Sequence, residues 1–453
     1  MTDWARDALF YHIYPLGLTG APAQNDFAAP PEPRLAEIVD WIGHLRELGV
    51  TALYLGPLFE STAHGYDTAD YFQVDRRLGD HRTLAELVAH LHTAGIRVIL
   101  DGVFHHVGRD FWAFRDLQQH GAQSAFRDWF AGVDFAHRSP YGDPFTYEAW
   151  NGHYDLVKLN LHHPDVRNHL FGAVQSWVEE FAIDGLRLDV AESIDPVFLR
   201  DLATFGRDLR PDFWLLGEII HGDYRQLAGP DLLDSATNYE VYKGLYSSHN
   251  DSNYFEIAYS LNRQFGPGGI YRELPLYNFV DNHDVDRVAS VLHNPAHLAP
   301  LYALLFTIPG VPSIYYGSEW GLTGRKTNGD DNPLRPRLRP TDATGAPQPG
   351  LAAAIGWLAH ARRSSPALRY GAYAELYVNH QQFAFARHTL TDYVVVAVNS
   401  ADTSAHLDLP VTAPDGRELV DLLDPSRRYH VRGGRLLLEE VPACGARILA
   451  TRG

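Results

Sequence analysis

The chain has 453 residues, 45% hydrophobic and 21% charged, too long for one ordinary compact domain and suited to a barrel carrying attachments. Its net charge of −18 disfavours nucleic acid and anionic membranes as partners, and a single cysteine, Cys444, excludes an intramolecular disulfide. No apolar run approaches a membrane span, and the opening MTDWARDALFYHIYP lacks the basic start and apolar stretch of a secretory leader, so a cytoplasmic location is predicted.

The first predicted strand runs from Phe10 to Pro15. A helix with Leu35, Ile38, Val39, Ile42, Leu45 and Leu48 on one face leads to the apolar run Ala52 to Phe59. A second, carrying Leu84, Leu87, Val88 and Leu91 and stopped by Gly95, leads to Arg97 to Phe104. From His106 to Pro164 the rhythm breaks into an aromatic, Gly- and Asp-rich insertion, and loops that long in compact domains are usually functional. Further runs follow at Gly185 to Ala191, Trp214 to Ile220, Leu276 to Asp284 and Leu305 to Gly317, with a weaker one at Ser235 to Tyr239. A Pro-, Arg- and Gly-rich loop spans Asn328 to Pro349. Eight strand–helix units predict an α/β fold, a closed (β/α)₈ TIM barrel. After about Tyr370 the segments FAFARH, YVVVAVNS, HLDLPV and RLLLEEV alternate as strands, which predicts a C-terminal antiparallel β-sandwich. The predicted domains are 1–105 with 165–370 for the barrel, 106–164 for the insertion after strand 3, and 371–453 for the sandwich.

Functional groups of such barrels sit at the C-terminal ends of strands. Polar residues end several runs here: Asp101, His105 and His106 on the third, Arg187 and Asp189 on the fourth, Glu218 on the fifth, His283 and Asp284 on the seventh. One carboxylate after a strand is more often a helix cap or a solvated loop residue. Several converging on one mouth are costly unless they are paired or used. Paired carboxyl groups suit glycoside hydrolysis by double displacement. Arg187 lies two residues before Asp189, on the same strand face, and should hold it ionised as a nucleophile. Glu218, set among Trp214, Leu215, Leu216, Ile219 and Ile220, is expected to start protonated as the acid.

These segments, in order, resemble the signature regions of glycoside hydrolase family 13, the α-amylase family: DGVFHH (Asp101 to His106), GLRLDVAE (Gly185 to Glu192), LLGEI (Leu215 to Ile219) and FVDNHD (Phe279 to Asp284). HGYDTADYFQVDRRLG (His64 to Gly79), VKLN (Val157 to Asn160) and GVPSIYYGSEWG (Gly310 to Gly321) fit its flanking regions and point to the neopullulanase and cyclomaltodextrinase branch. The resemblance implies a retaining hydrolase of α-1,4 and some α-1,6 glucosidic bonds in maltooligosaccharides, cyclodextrins or related cyclic sugars such as cyclic maltosyl-maltose. It implies Asp189 as nucleophile, Glu218 as acid/base and Asp284 as the third carboxylate. His106 and His283 would bond the sugar, Arg187 would orient Asp189, and Tyr66 would stack on the ring with Asp67 and Arg287 beside it. Asp101 would bond Arg187, Asn282 would be scaffold, and Lys158 and Glu192 would lie in further substrate-binding positions. A homodimer is compatible with the branch.

Three features depart from that branch. The sequence opens close to the first predicted barrel strand, and the N-terminal β-domain of many relatives is expected to be missing. Ile220 stands where a tryptophan is usual, and DVAESID places Glu192 and Ser193 on the leaving-group side. His105 stands where many relatives have a calcium-binding asparagine, and imidazole is a poor ligand for a hard cation. No cofactor is therefore predicted, and no calcium requirement. Three rival readings have other signatures. A zinc barrel hydrolase could use His105, His106, His162 and His163, but its usual HxH pair is missing, since YHIYP has His12 alone. An inactive sugar-binding relative would be expected to have lost its carboxylates. A transglycosylase would share every residue named and differ in the acceptor.

Overall fold

A computed structural model describes residues 4–327 and 329–451; residues 1–3, Asn328 and residues 452–453 of the predicted segments lie outside the described residues. Eight short parallel strands form the barrel: β1 (Phe10–Ile13), β2 (Ala52–Leu55), β3 (Arg97–Gly102), β4 (Gly185–Leu188), β5 (Trp214–Gly217), β6 (Ser235–Ala236), β7 (Tyr277–Asn278) and β8 (Val311–Tyr315). Their order is β6-β5-β4-β3-β2-β1-β8-β7. A parallel bridge between Thr237 and Tyr277 joins the two ends and closes the ring.

Local chemistry sets the boundaries of the surrounding helices. Asp80 caps the helix His81–Thr93, accepting from the Thr83 N–H at 2.8 Å. Gly95 follows in the left-handed region at φ 76°, reversing the chain into β3. The predicted Leu35–Leu48 helix begins instead as a 3₁₀ turn, Arg34–Trp41, before the α-helix Ile42–Leu48. Leu35, Ile38 and Trp41 are its buried residues, and their three-residue spacing aligns them on one side of the tighter coil. The apolar run from Leu305 to Gly317 is likewise divided. Leu305 to Thr307 close a buried helix, Leu298–Thr307, and the strand starts at Val311. A helix buried all round has no polar face, so hydrophobicity alone does not separate it from a buried strand.

Inside the barrel, alternation of period two stacks the side chains in layers. Phe10, Ala52, Ile99, Trp214 and Tyr277 belong to one buried cluster, with the Phe10 and Trp214 rings stacked at 5.1 Å. Two residues further along the strands the interior turns polar, with His12, Asp101, Arg187 and, beyond Leu216, Glu218. Apolar packing thus forms a floor beneath the charged groups.

The insertion is compact: a helix, Trp112–His120, and a three-stranded sheet in which Val107 pairs with Val157 and Ala149 also pairs with Val157 from the other side. Arg109 braces it through Asp143 at 2.8 Å. After the helix Leu351–Ser364 the chain enters an eight-stranded antiparallel array that begins with β9 (Ala372–Val378), β10 (Gln382–His388) and β11 (Tyr393–Asn399). On β11, Val395 and Ala397 join Leu407, Leu409 and Leu436 in the sandwich's own core. Val394, Val396 and Val398 face the other way, into the large core shared with the barrel. Among the described residues no helix is long and apolar enough to cross a membrane.

Candidate active site

Arg187 organises the mouth of the barrel. It is 3% exposed, and its position on β4 sets it directly beside Asp101 of β3 in register. Its Nη1 meets Asp101 Oδ1 at 2.9 Å and Asp189 Oδ1 at 2.8 Å, and its Nη2 meets Glu218 Oε1 at 2.8 Å. Burial opposes its charge, but Asp101 and Glu218 outweigh that and hold the guanidinium ionised. Asp101 also accepts from the hydroxyls of Tyr54 at 2.7 Å and Tyr66 at 3.0 Å, so it serves the scaffold.

Asp189 and Glu218 are thus bonded to two nitrogens of one planar guanidinium. Burial pushes the Asp189 carboxyl well above the ordinary carboxylate range, Arg187 pulls against it, and the charge of Glu218 adds to the rise. One cation is thus divided among three carboxylates, and the ionised Asp189 expected beside Arg187 has burial working against it. Glu218 receives the Val190 N–H at 3.0 Å as well as Arg187. To present that N–H, Val190 adopts φ 41°, a left-handed conformation that a β-branched residue rarely takes and that costs about 1–3 kcal/mol. Tyr239 reaches Glu218 Oε1 at 3.5 Å, and Asn282 Nδ2 donates to the Tyr239 hydroxyl at 3.1 Å.

Across the mouth, Asp284 lies between His283 Nε2 and Arg335 Nη2, each at 3.0 Å. Burial would raise its carboxyl, but His283, Arg335 and Arg187 prevail and hold it well below the usual range. Tyr66 bonds His283 through its hydroxyl and stacks on that ring at 5.5 Å between centroids. His106 Nε2 stands 3.9 Å from Asp189 Oδ2. Burial, together with His105, lowers His106 to about 3, so it is neutral at ordinary pH. His106 Nε2, His283 Nδ1 and His12 Nε2 are buried without a hydrogen-bond partner among the described residues. Buried nitrogens of this kind are costly unless a ligand or water satisfies them. A cavity of about 340 Å³, counted with its open mouth, is lined by Glu218, Arg187, Tyr239, Asn282, His283 and His12 among others.

Four predicted substrate contacts are bonded to other groups of the protein. Arg287 is fully buried, donating to the carbonyls of Tyr316 and Leu334, both at 2.8 Å. It braces the loop that presents Arg335, and Arg335 is the arginine beside Asp284. Asp67 turns its oxygens to the Ala63 N–H at 2.8 Å and the Gly65 N–H at 3.2 Å, shaping the loop that carries Tyr66. Glu192 accepts from the N–H groups of Ile220 and His221, both at 3.0 Å, and so fixes the backbone just past Glu218. Lys158 pairs with Glu148 at 2.7 Å within the insertion. The sequence alone does not point to Arg335, Tyr239, His12 or Tyr14, whose ring stacks on that of His283 at 5.9 Å between centroids. Tyr239 and His12 do follow or belong to strands, whereas Arg335 sits in a loop with no periodic signal.

Among the described residues no three His, Cys, Asp or Glu side chains gather as a metal site. His105 Nδ1 faces His106 Nδ1 at 3.2 Å, while His163 caps the helix Pro164–Phe181. The position of the calcium-binding asparagine thus presents a ring nitrogen turned toward another ring, and these residues do not fit a hard oxygen-seeking cation.

The model of the α-amylase catalytic domain matches residues 33–348, and that of the neopullulanase-like C-terminal domain matches residues 373–444. The chain is 33% identical to a cyclomaltodextrinase of a Bacillus species over 426 residues, covering 89% of this chain and 74% of the relative. It is 32% identical to the intracellular maltogenic amylase of Bacillus subtilis strain 168, covering 73% of this chain and 58% of that one. Its fold matches the cyclic α-maltosyl-(1→6)-maltose hydrolase of Arthrobacter globiformis with a TM-score of 0.82 at 28% identity, over 99% of both chains. The matched barrel and C-terminal domain, read with the carboxylates at the strand ends, show that the chain belongs to the α-amylase family of glycoside hydrolases, on its neopullulanase and cyclomaltodextrinase branch.

Proposed function

We propose that the protein hydrolyses α-1,4-glucosidic bonds, and α-1,6 bonds as well, in maltooligosaccharides, cyclodextrins and related cyclic glucosaccharides such as cyclic maltosyl-maltose, with retention at the anomeric carbon. The observation carrying this reading is the attachment of Asp189 and Glu218 to two nitrogens of Arg187. That spacing is compatible with the roughly 5–5.5 Å between carboxyl groups of retaining enzymes. Asp189 attacks the anomeric carbon, forming a glycosyl ester as the bond to the leaving oxygen breaks. Glu218, as the acid, gives that oxygen a proton, then as the base takes one from the water that opens the ester. Asp284, locked by Arg335, grips sugar hydroxyls, and the unpartnered nitrogens of His106 and His283 find partners there.

The names of the relatives, a cyclomaltodextrinase and a cyclic maltosyl-maltose hydrolase, support a neutral oligosaccharide as partner, and the intracellular maltogenic amylase supports a cytoplasmic site of action. His105 supports activity without calcium. The deciding experiment is product analysis on maltotetraose, cyclodextrins and cyclic maltosyl-maltose. Shorter products than the substrate support hydrolysis, products longer than the substrate identify a transglycosylase, and no products identify an inactive relative.

A further inference from the structure

A second cavity lies on the opposite face of the barrel. It measures about 350 Å³ with its open mouth, and Arg6, Arg272, Arg369 and Arg387 line it beside Tyr370 and Phe265. Its place follows from the parallel topology. Arg6 precedes β1, Arg272 precedes β7, and the lining residues Pro309 and Gly310 precede β8. These are strand N-terminal ends, away from Asp189 and Glu218. Arg369 and Tyr370 come from the helix Pro366–Tyr370 and Arg387 from β10, so the cavity straddles the joint between barrel and sandwich.

Cationic groups dominate its wall. Arg387 is 1% exposed, and its nitrogens donate to carbonyls, that of Thr307 at 2.7 Å and that of Gly371 at 2.9 Å and 3.2 Å. Behind it the buried Arg362 bonds the carbonyls of Phe306, Leu368 and Gly310. Neither guanidinium meets a carboxylate among the described residues. Burial, reinforced by neighbouring guanidiniums, lowers Arg387 to about 9 and Arg362 to about 10. Carbonyls at the C-terminal ends of two helices offset part of that charge, but a carbonyl dipole is weaker compensation than an anion. Arg369 is ion-paired with Asp7, and its buried Nε has no partner among the described residues. Arg272 is exposed and makes no ion pair or hydrogen bond among the described residues. In a chain of net charge −18, guanidiniums gathered at one cavity form a local positive well. Their planar forks match the oxygens of a phosphoryl group.

We propose that this cavity binds a small phosphate-bearing anion, either inorganic phosphate or the phosphoryl group of a hexose phosphate, and that the bound anion ties the barrel to the C-terminal sandwich. The test uses the full chain in chloride buffer at constant ionic strength. Calorimetric titration and thermal unfolding are followed with inorganic phosphate, glucose 6-phosphate and, as the uncharged control, glucose. The expected result is saturable binding of the phosphorylated compounds with a rise in Tm, and neither effect with glucose. Tighter binding of glucose 6-phosphate would assign the hexose phosphate, and equal binding would assign the phosphate ion. Arg272→Glu should weaken binding by about tenfold or more while leaving turnover and the Tm in phosphate-free chloride buffer unchanged. Arg369→Gln is the second variant and should weaken binding in the same direction. Absence of binding by either phosphate compound, or undiminished binding by both variants, would overturn the proposal. Because the readouts are binding and unfolding, they stand apart from the outcome of the hydrolysis assays.

Discussion

Replacing Arg335 by alanine removes a cation that the structure gives four polar partners at once, among them the Tyr14 hydroxyl 3.5 Å from its Nη1. Its Nη2 meets Asp284 Oδ1 and Asp331 Oδ2, each at 3.0 Å, its Nε donates to the His283 carbonyl at 3.0 Å, and the guanidinium lies 4.5 Å from the centre of the Tyr14 ring. A hydrogen bond to a charged group contributes about 1.5–3 kcal/mol. Asp284 has a third of its side chain open to solvent, so the lower half of that range applies. If the sugar-gripping form of Asp284 depends on this bond, kcat/KM falls by about 10- to 50-fold, at 1.4 kcal/mol per decade. The pH profile should move too. Arg335 helps to hold Asp284 below the ordinary carboxylate range, so its loss lets the carboxyl take a proton at higher pH, and the acid limb of kcat/KM shifts upward. The stability this carboxylate lends is present above its unfolded value of about 3.9 and is lost as pH falls through the depressed folded value. Arg335→Lys keeps the charge but loses the fork, and should recover part of the rate and most of the acid limb. The assay is initial rates on maltotetraose from pH 4 to 8. An alanine variant within about twofold of the parent, with an unmoved acid limb, would refute the argument.

Asp189→Asn and Glu218→Gln should each abolish most turnover, with circular dichroism and Tm showing an intact fold. Near-normal rates for Glu218→Gln on a substrate with a poor leaving group would remove the acid assignment. Arg287→Ala should chiefly lower Tm, by several degrees, because it strands the buried carbonyls of Tyr316 and Leu334; unchanged Tm with lost substrate affinity would restore it as a sugar contact. Burial lowers His105 to about 4, His106 to about 3 and His249 to about 4. The unfolded chain binds protons at these sites below about pH 6.5 while the folded one does not, so Tm should decline steadily from pH 6.5 towards 4. A flat Tm over that interval would contradict their burial as neutral rings. Chelator treatment should leave both activity and Tm unchanged, and a large loss of either would establish a calcium site.

The sequence shows some of these features plainly and conceals others for physical reasons. Strand ends are legible because a polar residue closing an apolar run is conspicuous, and Asp101, Arg187, Asp189, Glu218 and Asp284 all lie together at the barrel mouth. Their bonding is less legible. Arg187 is expected from the sequence to serve Asp189 and Asp101, and the register of β3, β4 and β5 brings Glu218 to it as well. Arg287 and Arg335 illustrate the limit. Both are arginines near the seventh and eighth strands, and their placement depends on how the loop after β8 folds back over Tyr14 and Tyr316, which no local pattern encodes. The same holds for Glu192, whose neighbours Ile220 and His221 come from the loop after the following strand. The helix ending at Thr307 was concealed by its own complete burial.

The central claim is double displacement through Asp189 with Glu218 as acid and base. NMR of the first-formed sugar, recorded before mutarotation, tests it most directly. The account predicts the α-anomer, and a β-anomer as first product would contradict it.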